Sequence, residues 1–198
     1  VFGAIPYAVL GIFGPVDSLF ESMSGFTTTG ASVLVDYDQP HGIMFWRSLT
    51  HWYGGMGIVV LVLAFLPAVG GGAIRLFAAE APGPITERLT PRLKDTAKRL
   101  WYIYVGLSAA EALILMALGV GPFLAVTHTF GTLATGGFSP LAASVGAFDS
   151  WSIELVITIF TILAGGNFAL YFAVLTGRRR ALLRDPEFRL YLIIMGVS

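Results

Sequence analysis

The segment Ser24-Gly25-Phe26-Thr27-Thr28-Thr29-Gly30-Ala31-Ser32 offers backbone carbonyls, hydroxyls and very little else. Hard cations prefer oxygen ligands, and selective filters replace an ion's hydration shell with rings of backbone carbonyls. Such a structure needs small residues near an axis and a glycine that tolerates unusual dihedrals. Thr27, Thr28, Thr29 and Gly30 have that character, with the threonine hydroxyls as a further oxygen layer. Thr135, Gly136 and Gly137 have it again. The two segments match at a fixed offset of 107 residues: Thr28 falls on Thr135, Gly30 on Gly137, Ser32 on Ser139 and Leu34 on Leu141. The competing reading is a pair of turns between helices, with threonine side chains as caps. Recurrence in the same setting favours the oxygen-lined loop.

The elements that position these segments follow from composition. The 198 residues are 56% hydrophobic and 12% charged, against about 25% charged in soluble domains. Mean hydropathy is +0.78. This composition implies an all-α polytopic membrane protein. A spanning helix needs about 20 largely apolar residues. Val1 to Gly14 reads as the outer part of a shortened span, while Met44 to Leu66, Leu100 to Leu118 and Ser152 to Leu175 read as full spans. A polar helical stretch, Thr90 to Arg99, precedes the second of these, and another span begins at Glu187. The chain starts without Met and stops inside an apolar stretch, as a piece of a longer polypeptide would. Cysteine chemistry is excluded, no signal peptide is visible, and no basic-aromatic interleaving suggests nucleic acid.

Asp17 to Leu34 and Pro122 to Leu141 remain, both too polar for a lipid-facing span. Six of the twelve Lys and Arg lie between Arg75 and Arg99, and five between Arg178 and Arg189. The positive-inside rule puts both groups in the cytoplasm. The spans at 100–118 and 152–175 return the chain to that side, so 122–141 must enter and leave from outside. It is expected to be re-entrant, as is 17–34, with a short helix from about Asp17 to Phe26. Irregular backbone at membrane depth is tolerated where it is buried in protein or lines a watery cavity. Arg47 is the lone basic exception on the outer side. Asp17 and Glu21 are expected at the outer surface, raising the local cation concentration. Repeats of this kind place binding sites where broken helices meet.

The order of motifs is also familiar. Phe20-Glu21-Ser22-Met23-Ser24-Gly25-Phe26-Thr27-Thr28-Thr29-Gly30-Ala31 resembles the first pore loop of Trk-type potassium uptake subunits. Further along, His51-Trp52-Tyr53-Gly54-Gly55-Met56-Gly57-Ile58 resembles the inner span of that repeat. Glu80-Ala81-Pro82-Gly83-Pro84 and Pro91-Arg92-Leu93-Lys94-Asp95-Thr96-Ala97-Lys98 are similar to the cytoplasmic linker. Ala134-Thr135-Gly136-Gly137-Phe138-Ser139 resembles the second loop, and Arg184-Asp185-Pro186-Glu187-Phe188-Arg189 the lead-in to a third repeat. The chain thus resembles the Trk/Ktr/HKT superfamily, and within it the bacterial TrkH-like subunits.

The resemblance implies four span–loop–span repeats around a potassium pore in a bacterial cytoplasmic membrane, with the first two repeats present here. Their expected limits are 1–66 for the first repeat, 67–99 for a cytoplasmic linker, 100–175 for the second repeat and 176–198 for a second linker leading into the third. It further implies filter glycines at Gly30 and Gly137, with carbonyls from Thr28, Thr29, Thr135 and Gly136. Gly136 departs from a strict Thr-x-Thr-Gly pattern. Potassium would be the ion carried, with no organic cofactor. The implied partners are a second copy in a homodimer, a cytosolic ring of nucleotide-binding regulatory subunits and the lipid bilayer.

Other residues have plainer readings. Gly54, Gly55, Gly57, Gly165 and Gly166 suit close helix packing, with a hinge as the alternative. Glu111 lies inside a span, so it is either functional or hydrogen-bonded to a neighbouring helix. Asn167 reads as an interhelical hydrogen-bonding residue. His41, His51 and His128 lack ligand spacing and read as core or interfacial, and the four tryptophans as interfacial anchors. Two rival functions stay open. A secondary transporter with discontinuous helices predicts intramembrane coupling charges, of which Glu111 is the strong candidate. A membrane metallohydrolase would use the histidines with Asp36 or Asp38. No enzyme activity is otherwise expected.

Overall fold

The structure, a computed structural model, describes residues 2–57, 86–177 and 185–197. The inner half of the expected 44–66 span, most of the 67–99 linker and the basic run Arg178 to Arg184 lie outside the described residues. Among the described residues the chain is helical, without strands.

A short 3-10 turn (Phe2–Ala4) leads into α1 (Ile5–Val9). Helix α2 spans Pro15–Phe26, α3 covers 41–57, α4 spans Thr86–Ala117 and α5 Pro122–Leu133. After a 3-10 turn at Ser144–Phe148 come α6 (Trp151–Ala164), α7 (Phe168–Leu175) and α8 (Pro186–Val197). Both α2 and α5 start the same way. A glycine (Gly14, Gly121) stands at the cap and a proline (Pro15, Pro122) follows, where its missing N–H removes nothing.

Helix α4 is the backbone of the second half and packs on α5, α6 and α7. One apolar cluster joins Leu100 and Tyr104 of α4 to Leu133, Phe160, Ala164 and Phe168. A second joins Leu115, Val120, Ala125, Ile153 and Ile157. Within α4, Ala97–Ala117 is long and apolar enough to cross a bilayer, and among the described residues it is the one helix that meets this test. Trp52, expected at an interface, packs against the first cluster instead, its indole N–H donating to Ser108 Oγ at 2.9 Å.

The expected continuous span over 152–175 is two helices. α6 ends at Gly165, and α7 starts at Phe168 with Asn167 O accepting from the Leu170 N–H. The interruption has a side-chain cause. Tyr171 Oη donates to Leu163 O at 2.7 Å and Tyr191 Oη to Ile162 O at 2.9 Å, satisfying carbonyls freed at the end of α6. A Cβ at Gly165 would strike the Tyr191 hydroxyl, and one at Gly166 the Tyr171 hydroxyl. These two glycines therefore admit tyrosines from α7 and α8, the close approach that small residues at these positions were expected to allow.

Candidate functional site

The two oxygen-rich segments follow α2 and α5 and share the turn geometry that opens each of them. Thr27, ending α2, has φ −88°, and Ala134, ending α5, has φ −78°. The next residues, Thr28 and Thr135, are left-handed at φ 55° and 53°. Thr29 and Gly136 leave that region, and Gly30 and Gly137 return to it at φ 79° and 80°. The hydrogen bonds keep the same offset of 107. Thr28 N–H reaches Gly25 O and Thr135 N–H reaches Thr132 O. Thr29 N–H reaches Ser24 O and Gly136 N–H reaches Gly131 O. A β-branched residue at positive φ is a genuine outlier, costing about 1–3 kcal/mol and persisting only where surroundings over-determine it. Here the same outlier occurs twice at equivalent positions.

Buttresses behind each loop are equivalent in place but not in chemistry. Glu21 of α2 accepts from Ser32 Oγ at 2.8 Å and from Val33 N–H at 3.0 Å. Its counterpart in α5 is His128, whose Nε2 lies 3.4 Å from Ser139 Oγ. Each serine also accepts from the amide two residues on, Leu34 and Leu141. Ser24 Oγ donates to Ala31 O; at the matching Gly131 there is no side chain, and a Cβ there would press on Phe138 O.

The loops lie side by side. A Cβ at Gly30 would overlap the carbonyl oxygen of Gly136. Helix α3 passes behind both, with Gly54 against the Phe26 carbonyl and Gly55 against Ala134 and the Tyr104 hydroxyl. Gly57 meets nothing within 4 Å among the described residues, whose first stretch ends at it. Gly54→Ala is therefore expected to lower the unfolding temperature in detergent, by the equivalent of about 1–3 kcal/mol for overpacking.

Glu21 is not at the surface. It is fully buried, and its Oε1 accepts from Arg47 Nε at 2.6 Å. Buried and paired with Arg47, it is not the free surface charge expected of a residue that attracts cations. Asp17, in the first turn of α2, is exposed.

Arg47 is the functional candidate that sequence reasoning passed over. Its signal was its isolation as a basic residue on the acidic side. From α3 it also donates through Nη1 to Ser139 O at 2.8 Å and lies 3.7 Å from the centre of the Phe138 ring. His51, one turn on, stacks on the Phe138 ring at 3.8 Å between centres and packs against Gly136. His41 lies against Phe123. Among the described residues no group of three His, Asp or Glu could hold a metal, so the metallohydrolase reading finds no ligand set. Glu111 is buried in α4 facing Thr132 of α5 and, among the described residues, makes no hydrogen bond of normal geometry. A cavity of about 230 Å³ lies against the second loop, between His128, Thr132, Thr135, Gly137, Ile157 and Thr161.

Residues 7–198 match the model of the TrkH family, described as cation transport protein. The chain belongs to the TrkH cation transport family. It is 49% identical over 179 residues to the Trk system potassium uptake protein TrkH of Escherichia coli K12, covering 89% of this chain and 37% of that protein. Identity to the Vibrio parahaemolyticus TrkH is 42% over 199 residues, covering 97% of this chain and 41% of that protein. The crystal structure of the potassium transporter TrkH from Vibrio parahaemolyticus superposes with a TM-score of 0.83 at 39% identity, over 97% of this chain and 39% of that one. The chain thus spans about two-fifths of the length of these relatives. It is a helical membrane protein whose relatives are named as transporters.

Proposed function

We propose that this chain supplies two re-entrant pore loops to a potassium uptake pathway across a bacterial cytoplasmic membrane. The observation that carries the reading is the repeated alternation of φ sign through Thr27–Gly30 and Ala134–Gly137, on two loops in contact. Alternating right- and left-handed residues line N–H groups along one edge and carbonyls along the other. Thr28, Thr29, Gly30, Thr135, Gly136 and Gly137 would then present oxygens in place of the hydration shell of potassium, the ion carried. Thr27 Oγ1 donates to Met23 O and lies 2.7 Å from Thr29 Oγ1, so it acts at the base of the loop.

The secondary-transporter alternative needs a coupling charge in contact with water. Among the described residues Glu111 is sealed from solvent and Glu21 is already paired, so the pore is the better reading of this chain. The relatives are named as parts of a Trk system. By the same likeness the full-length protein would be a multi-pass homodimer seated on a nucleotide-binding cytosolic ring, with no organic cofactor in this chain.

The test is potassium uptake by the full-length protein in cells lacking their own uptake systems. Wild type should restore growth at low potassium, and Gly137→Ser should lower the uptake ratio of potassium to sodium. Rescue with an unchanged ratio would mean that the loops are structural. Asp17 retains its proposed steering role. Asp17→Asn should lower uptake a few-fold at low ionic strength, and the difference should vanish at high salt, where exposed charges are screened. Equal rates at low salt would remove that role.

A further inference from the structure

We propose that Arg47 and Glu21 form a positioning pair that fixes the first loop against the second, and that this register sets discrimination between cations. The inference rests on the pore reading above and assigns its geometry to two residues outside the oxygen-lined segments.

The contacts form one unbroken chain. Ser32 and Val33, on the returning limb of the first loop, bind the Glu21 carboxylate. Glu21 binds Arg47 Nε, and Arg47 Nη1 binds the Ser139 carbonyl on the returning limb of the second loop. The guanidinium also covers the face of Phe138, one residue earlier. Glu21, Arg47 and Ser139 are all buried, at 0%, 2% and 6% exposure, so water does not compete for these bonds. At the front of the same loops, Gly30 meets the Gly136 carbonyl. The spacing between the loops is thus held at two places, by backbone contact in front and by the ion pair behind.

Energy alone does not call for a charged pair in this position. A buried ion pair is commonly no more stable than apolar side chains of the same volume. What it adds here is direction. The planar guanidinium holds Nε and Nη1 in a fixed relation; Nε reaches Glu21 on α2, which holds the first loop, and Nη1 reaches the Ser139 carbonyl of the second. Lysine has one ammonium on a flexible stem and cannot fix both at once. The repeat comparison points the same way. Within the second repeat the equivalent buttress is the contact of His128 with Ser139, with no ion pair. Among the described residues the one ion pair stands at the seam between the loops.

The experiment compares uptake of potassium and of sodium by the full-length protein in wild type, Arg47→Lys, Glu21→Gln and Gly30→Ala. Rates are divided by the amount of protein in the membrane. Arg47→Lys keeps the charge beside Glu21 but loses the fork. Its potassium-to-sodium ratio should fall by roughly tenfold, the factor matching one lost charged hydrogen bond. Glu21→Gln keeps the shape and should lower the ratio in the same direction, and it stands in if Arg47→Lys fails to reach the membrane. A purely structural role would change both uptake rates in proportion. That result, or wild-type ratios in both variants, would overturn the proposal while Gly30→Ala still shifts the ratio. An unchanged ratio in Gly30→Ala overturns the pore reading, and the role of the pair with it.

Discussion

Gly30→Ala is expected to remove most of the preference for potassium while leaving the protein in the membrane. Two costs meet at this residue. Its φ of 79° is a conformation in which an L side chain is strained, by about 1–2 kcal/mol. The added Cβ would also overlap the Gly136 carbonyl oxygen. That neighbour is backbone, so no rotamer change relieves the overlap, and one loop must move away from the other. The displaced atom is itself one of the proposed ion ligands. A loss of about 1.4 kcal/mol in relative binding is a tenfold change in discrimination, and the combined strain exceeds that. The ratio of potassium to sodium uptake at low external potassium measures it directly. Gly42→Ala is the control: no described atom lies near its Cβ and its φ is ordinary, so the ratio should stay at the wild-type value.

The sequence and the structure agree where local chemistry decides, and part where distant side chains do. A helix expected over about Asp17 to Phe26 begins at Pro15, because the Gly14–Pro15 pair is a strong local start signal. The offset of 107 residues, read from a few identities, extends to φ values and hydrogen bonds that no identity reveals. Glu21 was misread because a carboxylate near a helix start resembles a solvated charge, and its partner lies 26 positions away at Arg47. The two charges could be matched only by knowing that α3 passes beside α2. The break in 152–175 was hidden for a similar reason. Hydropathy continues across Gly165 and Gly166, while the tyrosines that cap the freed carbonyls come from α7 and α8.

Removing one partner of the Glu21–Arg47 pair should destabilise the protein more than any other substitution in the described polar core. Glu21→Ala leaves a guanidinium at 2% exposure with Ser139 O and the Phe138 ring but no counter-charge. It also strips Ser32 and Val33 of their shared acceptor. Arg47→Met leaves the carboxylate equally stranded. Breaking a buried pair in this way typically costs about 3–5 kcal/mol, far above the 0–1 kcal/mol of an exposed pair. The double variant Glu21→Leu with Arg47→Met should lose less than the sum of the single variants, since no unpaired charge remains and both volumes are largely kept. Thermal unfolding of the purified full-length protein in detergent measures all three. Losses that simply add would mean that the two residues act independently. If the double variant recovers stability without recovering the ratio of potassium to sodium uptake, the charge pair serves loop register, and folding alone does not require it.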